Sequence, residues 1–148
     1  MKRTLVLICS LLLVASTYAF NTTNTTVNEK VLKSFKQTFN TAEQVKWEEF
    51  RDYYTVSFVN SGIRSKVNYD KDGNMLSSIR YYSPNMLPLN IIGKLKSQYP
   101  AKSLYGVTEI TYGDETTYYV KLEDAKNWTT IKIDNNGSCE VYEKYKKA

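Results

Sequence analysis

The chain has 148 residues, of which 24% are charged and 14% aromatic, with a formal net charge of +5 and no histidine. The missing histidine excludes His-based acid–base relays, Ser-His and Cys-His nucleophilic pairs and the usual zinc centres. The positive surplus is mild and spread along the chain, so no nucleic-acid partner is expected.

At the start, Lys2 and Arg3, an apolar run from Thr4 to Val14 and the small-residue stretch Ala15 to Ala19 follow the grammar of a secretory signal cut after Ala19. That run is shorter than the ~20 apolar residues a bilayer crossing needs. The bulky Ile8 before Cys9 does not suit lipid attachment. The expected address is therefore the periplasm or the exterior, with no membrane span in the mature chain. Cleavage would leave 129 residues, enough for one domain with a real core, and a net charge of +3. Cys139 would be the sole remaining cysteine, so no disulfide can form within the chain. A small buried thiol is expected there, since Cys139 aligns with Met75 in the repeat described below.

Residues 20–26, rich in Asn and Thr, read as a flexible leader to a single domain over 27–148. Asn21, Asn24, Asn127 and Asn136 lie in Asn-x-Ser/Thr sequons, which matter only in a host that glycosylates asparagine. From Val27, the apolar positions Val31, Phe35, Thr38 and Phe39 recur at helical spacing. Lys30, Lys33, Lys36 and Gln37 lie on the other side, and Asn28 is a candidate cap. The first strand is expected at Val45 to Phe50, followed by Tyr53 to Val59, Ile63 to Asp70 and Met75 to Tyr82, all with period-2 alternation.

This unit recurs. Tyr54, Val56 and Phe58 match Tyr118, Val120 and Leu122 at an offset of 64. Val67, Tyr69, Asp70 and Gly73 match Ile131, Ile133, Asp134 and Gly137. The second helix opens after Pro84 and Pro88, where Ile91, Leu95 and Tyr99 repeat Val31, Phe35 and Phe39 at an offset of 60; Pro100 ends it. The slip in offset places about four extra residues near Ala101 to Gly106 or in the turn at Gly113, in loops by expectation. The later strands are expected at Val107 to Tyr112, Tyr118 to Glu123, Trp128 to Asp134 and Cys139 to Tyr145. Gly and Asn in the intervening turns should supply positive φ. The fold class is therefore α+β: a tandem repeat (27–82 and 86–145) of one helix packed on a four-stranded antiparallel meander. One face would be covered by the helices and the other left open.

Several features together resemble the PepSY-like exported proteins of Bacteroides-type bacteria: the Phe near the helix end, Val45 to Trp47, the Tyr54–Val56–Phe58 alternation, the Val67 to Gly73 turn, and Leu87-Pro88 before the second helix. That group is similar in turn to the beta-lactamase-inhibitory protein, a tandem helix-plus-four-strand fold. The resemblance covers residues 27 to 145. It implies a binding role and, through the association of PepSY modules with peptidase propeptides, protease inhibition. It carries over no catalytic residues and no cofactor.

Two constellations invite other chemistry and fail on spacing. The Asp70 to Gly73 stretch lacks the oxygen ligands of a calcium loop at the required intervals, with Tyr81 where Glu is needed. Glu48, Glu49 and Asp52 suggest a carboxylate hydrolase, but adjacent strand residues point to opposite faces. The positive signal is aromatic. Tyr53, Tyr119, Trp128 and Tyr142 lie out of phase with the core positions, and Arg64, Lys66, Lys121 and Lys132 share their parity. Rigid amphipathic rings among cations are the composition of protein-binding patches. The expected function is a non-enzymatic binding module gripping a protein or peptide through these eight residues; an inhibitory form of it is what the resemblance implies. The alternatives are an envelope assembly component and, less well supported, a carboxylate hydrolase.

Overall fold

The computed structural model describes residues 26–148. The expected signal stretch and cleavage site, and nearly all of the leader, lie outside the described residues. The elements are α1 (Glu29–Thr38), β1 (Glu43–Glu49), β2 (Tyr53–Asn60), β3 (Ile63–Asp70) and β4 (Met75–Tyr82). After a 3-10 turn (Pro84–Met86) come α2 (Leu89–Gln98), β5 (Ser103–Tyr112), β6 (Glu115–Glu123), β7 (Asn127–Ile133) and β8 (Cys139–Lys146). The eight strands form one sheet in sequential order, and each adjacent pair is antiparallel. Among the described residues, no helix is long and apolar enough to cross a membrane.

Local chemistry sets the element ends. The Asn28 side chain accepts from the Lys30 amide at 2.8 Å, satisfying a donor that the first turn of α1 leaves unpaired. Pro88 precedes α2, where its missing N–H costs nothing. The β2–β3 turn is a two-residue loop, with Ser61 at φ 51° and Gly62 at 78°. Both signs match the I′ twist that a tight hairpin favours. The expectation of Asn at positive φ is corrected here: Ser61 takes that role. The β3–β4 and β7–β8 turns share one design. Asp70 Oδ1 accepts from the amides of Asp72 and Asn74, and Asp134 Oδ1 from those of Asn136 and Ser138, each at 2.9 Å. Each turn is tied to a helix, through the Lys30–Asp72 ion pair at 2.9 Å and the Lys94 ammonium on the Gly137 carbonyl. At Gly73 a Cβ would stand 3.0 Å from the Lys30 carbonyl oxygen, so the approach of α1 to the turn requires glycine.

Two apolar clusters hold the helices to one face. Val31 and Phe35 of α1 pack with Tyr54, Val56, Phe58, Val67 and Tyr69; Ile91 and Leu95 of α2 pack with Val107, Val120, Leu122, Ile131 and Ile133. Full burial of each such side chain contributes roughly 1.5–3 kcal/mol. Strand register carries that face from one half to the other through the row Phe58–Ser65–Arg80–Glu109–Tyr118–Ile133. The row is apolar at its ends and polar at its centre. Glu109 accepts from Arg80 at 2.9 Å and from the Tyr82 hydroxyl at 2.6 Å. Burial, then the bond to Glu109, pushes the Tyr82 phenol up, and burial followed by the charge of Glu109 does the same at Tyr118. A satisfied polar seam therefore separates the two cores.

Two further expectations change. The extra residues of the second half are not in a loop. β5 starts at Ser103 and runs 10 residues against 7 for β1, and a register shift between Leu104 and Gly106 leaves Tyr105 in a bulge. Pairing satisfies backbone groups that a loop would hand to water, and the bulge absorbs the mismatch. Cys139 is half-buried at the rim of the second cluster rather than enclosed in it.

Candidate functional site

The face away from the helices is built by the alternate residues of every strand. Register aligns Val59, Arg64, Tyr81, Thr108, Tyr119, Lys132 and Glu140 in one row, and Lys46, Ser57, Lys66, Ile79 and Ile110 in the next. Period-2 side-chain direction makes such rows obligatory once pairing is set. Beside them Thr55, Asn68 and Ser77 form a hydrogen-bonded ladder, with the Thr55 hydroxyl donating to Asn68 at 2.7 Å and Asn68 donating to Ser77 at 2.9 Å. Two open grooves mark this face. One, of about 390 Å3, is lined by Lys46, Ser57, Arg64, Lys66 and Tyr81. The other, of about 580 Å3, is lined by Arg64, Tyr81, Tyr105, Tyr119, Lys121 and Glu143 among others. They adjoin at Arg64 and Tyr81.

The structure gathers most of the expected residues and separates one. Tyr119 stands edge-on to Tyr142, with ring centroids 5.0 Å apart. Trp128 stands edge-on to Tyr105 at 4.7 Å, and Lys121 lies over its ring at 5.1 Å. Such contacts hold the rings in place. Arg64 and Lys66 lie in the first groove. Lys132 is on the same face but bound to Glu140 at 2.9 Å, which with that carboxylate's field raises its pKa. Tyr53 does not join the others. It stacks on Phe50 at 4.6 Å, opposite Asp70, six residues along β2 from the row of Arg64.

Four participants escaped the sequence reading. Tyr105, 60% exposed, is hidden from the sequence because the slip in repeat offset assigns its segment to a loop. Tyr145 and Lys147 reach the site because β8 is bulged. Ile131 pairs with Val141 and Thr130 with Glu143, so the residues beyond the bulge shift face and Tyr145 comes opposite Trp128. Lys147 sits 4.6 Å from the Trp128 ring centre while pairing with Glu123 at 2.8 Å. Tyr81 was legible: the β3–β4 hairpin places it opposite Arg64.

Catalytic geometry is poor. Glu48 and Glu49 engage lysines on opposite faces, Lys66 at 3.8 Å and Lys71 at 2.7 Å, and do not converge. Among the described residues, no three His, Cys, Asp or Glu side chains group as a metal centre would need.

No family model and no curated protein matches the chain. Solved structures do. A BLIP-like protein from Bacteroides fragilis superposes with a TM-score of 0.58 at 21% identity, covering 81% of this chain and 84% of that one. A DUF2874 family protein from Bacteroides uniformis gives 0.56 at 18% identity, covering 80% and 88%. A predicted periplasmic protein from Bacteroides eggerthii gives 0.57 at 15%, covering 81% and 88%. None of the three carries an enzyme's name. At these identities the likeness is one of fold: among the described residues, an α+β arrangement of one antiparallel sheet and two helices, similar to that of the BLIP-like protein.

Proposed function

We propose that the chain is a non-enzymatic exported binding module that grips a protein or peptide on the open sheet face. Residues 1–19 act as its secretory signal, and the domain from residue 27 is a duplicated PepSY-like unit of one helix and four strands. The observation that carries this reading is the aromatic patch of Tyr105, Tyr119, Trp128, Tyr142 and Tyr145, drawn from β5 to β8 onto the face the helices leave free. Rings locked by edge contacts and by Lys121 lose little entropy on binding, the property of interface anchors. The BLIP-like fold agrees with an inhibitory form of that function.

Sheet extension into an envelope assembly is the weaker reading. Both edge strands carry irregular pairing, near Gln44 on β1 and at Tyr142 on β8, a device that discourages edge-to-edge pairing. The test is recovery of partners from envelope extract on immobilised protein. The Tyr119→Ala/Trp128→Ala double variant should lose the partner that wild type retains. Equal recovery by both would remove this face from consideration.

A further inference from the structure

We propose that the β1–β4 groove of the open face receives the acidic end of an extended peptide segment of the partner, whose apolar end lies on the aromatic patch of β5–β8. This rests on the binding-face reading and adds the chemistry of the ligand to it. Lys46 from β1, Arg64 and Lys66 from β3, with Ser57, Val59 and Tyr81 between and beside them, share a groove of about 390 Å3. Register fixes the arrangement: Lys46 faces Ser57, which faces Lys66, and Val59 faces Arg64, which faces Tyr81. Three cations in one groove repel one another, a cost that an incoming anion relieves.

The chain's own carboxylates leave that charge largely unmet. Among the described residues neither Lys46 nor Arg64 forms an ion pair, and Lys66 reaches only the exposed Glu48, at 3.8 Å. A surface contact of that length stabilises little and is readily exchanged. In the second half Lys132 and Lys147 are held by Glu140 and Glu123 at 2.9 and 2.8 Å, and Lys121 lies over the Trp128 and Tyr145 rings. A carboxylate suits the planar fork of Arg64, which can give it two parallel hydrogen bonds. The Val59 side chain and the Tyr81 ring supply apolar wall for the methylenes of an acidic side chain.

A peptide is favoured over a free ion because the groove continues. Arg64 and Tyr81 also line the neighbouring groove, together with Tyr105, Tyr119 and Lys121. From β2 to β6 is a span of four strand spacings, about 19 Å. An extended chain of about six residues at ~3.3 Å each covers it. The ligand is therefore a short extended segment crossing the strands, with aspartate or glutamate at one end and aromatic or aliphatic residues at the other.

The test is fluorescence anisotropy of the purified protein with a labelled heptapeptide bearing two glutamates at one end and two phenylalanines at the other, against its glutamine counterpart. The acidic peptide should bind about tenfold more tightly, and added salt should shrink that margin. Arg64→Ala, at an exposed position, should abolish the preference. Equal affinity for both peptides overturns the proposal, as does a preference that survives Arg64→Ala combined with Lys46→Ala. If both peptides bind equally and both are lost on Trp128→Ala, the binding face stands and the acidic-end assignment falls. If neither peptide binds, both fall.

Discussion

The two halves share an order of elements but distribute their aromatic residues in opposite ways. In the first half the rings are inside: Phe35 meets Phe39, Trp47 and Phe58 with centroids 5.1 to 5.6 Å apart, and Trp47 meets Tyr69. Its open face carries Lys46, Ser57, Arg64, Lys66 and the Thr55–Asn68–Ser77 ladder, with Tyr81 as the ring that lines both grooves. In the second half the buried cluster is aliphatic, and the rings stand on the open face as Tyr105, Tyr119, Trp128, Tyr142 and Tyr145. Aromatic contacts add about 0.5–1.5 kcal/mol beyond burial wherever they form. One half buries its rings against the helix and the other holds them at the surface. The division places the buried rings in α1–β4 and the exposed ones mainly in β5–β8.

The comparison can be broken at its strongest point. Phe35→Ala should lower stability by about 3–5 kcal/mol, and by more than Leu95→Ala in α2, because it strands three neighbouring rings. Urea midpoints of the two variants decide it; a costlier Leu95→Ala would place the stronger core in the second half. On the open face, Tyr105→Ala should weaken partner binding by about 1–2 kcal/mol, since it removes the ring that braces Trp128. Tyr53→Ala, six residues down β2 from the Arg64 row, should leave binding unchanged. Titration of the recovered partner against both variants tests this, and equal losses would merge two regions that the register keeps apart.

A smaller effect sharpens the contrast between the cores. The Tyr69 hydroxyl is buried and finds no hydrogen-bond partner among the described residues, while its counterpart in the second half is Ile133. Tyr69→Phe should therefore raise stability by about 1 kcal/mol in urea melts. Burial pushes the Tyr69 phenol up to about 12. Its folded pKa exceeds the unfolded value near 10, so this contribution is intact below pH ~10 and is lost as pH climbs toward 12. The Phe variant should lack that share of alkaline loss.

The smallest effect lies at the turns. Lys102, then the amides of Lys126 and Asn127, hold the Asp124 carboxyl well below the usual carboxylate range. Asn74 does the same for Asp70. A depressed folded pKa means stability present above pH ~4 and lost as pH falls through the folded value. The corresponding β2–β3 turn carries Asn60 instead, which cannot titrate. Asp124→Asn should accordingly narrow the fall in urea midpoint between neutral and acid pH; an unchanged fall would assign acid sensitivity elsewhere.

Much of the fold could be read before any coordinates. The alternation of Tyr54, Val56, Phe58, Val67 and Tyr69, and of Val120, Leu122, Ile131 and Ile133, identified the helix-covered face because side-chain direction in a strand has period two. The helix stripes of Val31 and Phe35, and of Ile91 and Leu95, followed from the 3.6 period. Placement on the open face was legible only where that alternation ran unbroken, as at Tyr119, Lys121 and Trp128. It failed at Tyr105 and Tyr145, because a bulge adds one residue and flips the faces beyond it. No local pattern marks where that residue goes.

What the amino-acid order determined by itself was local: which residues turn, which stripe of each helix is apolar, and which parity of each strand seeks burial. Those are preferences of neighbouring residues and of period. Tertiary structure alone decided that the two meanders join edge to edge through β4 and β5 into one sheet. It also set Glu109 between Arg80 and Tyr82 at that junction, and put Arg64 and Tyr81 where the cationic groove meets the aromatic one. Such partners lie far apart along the chain, and register between strands, not the sequence around each residue, brings them together.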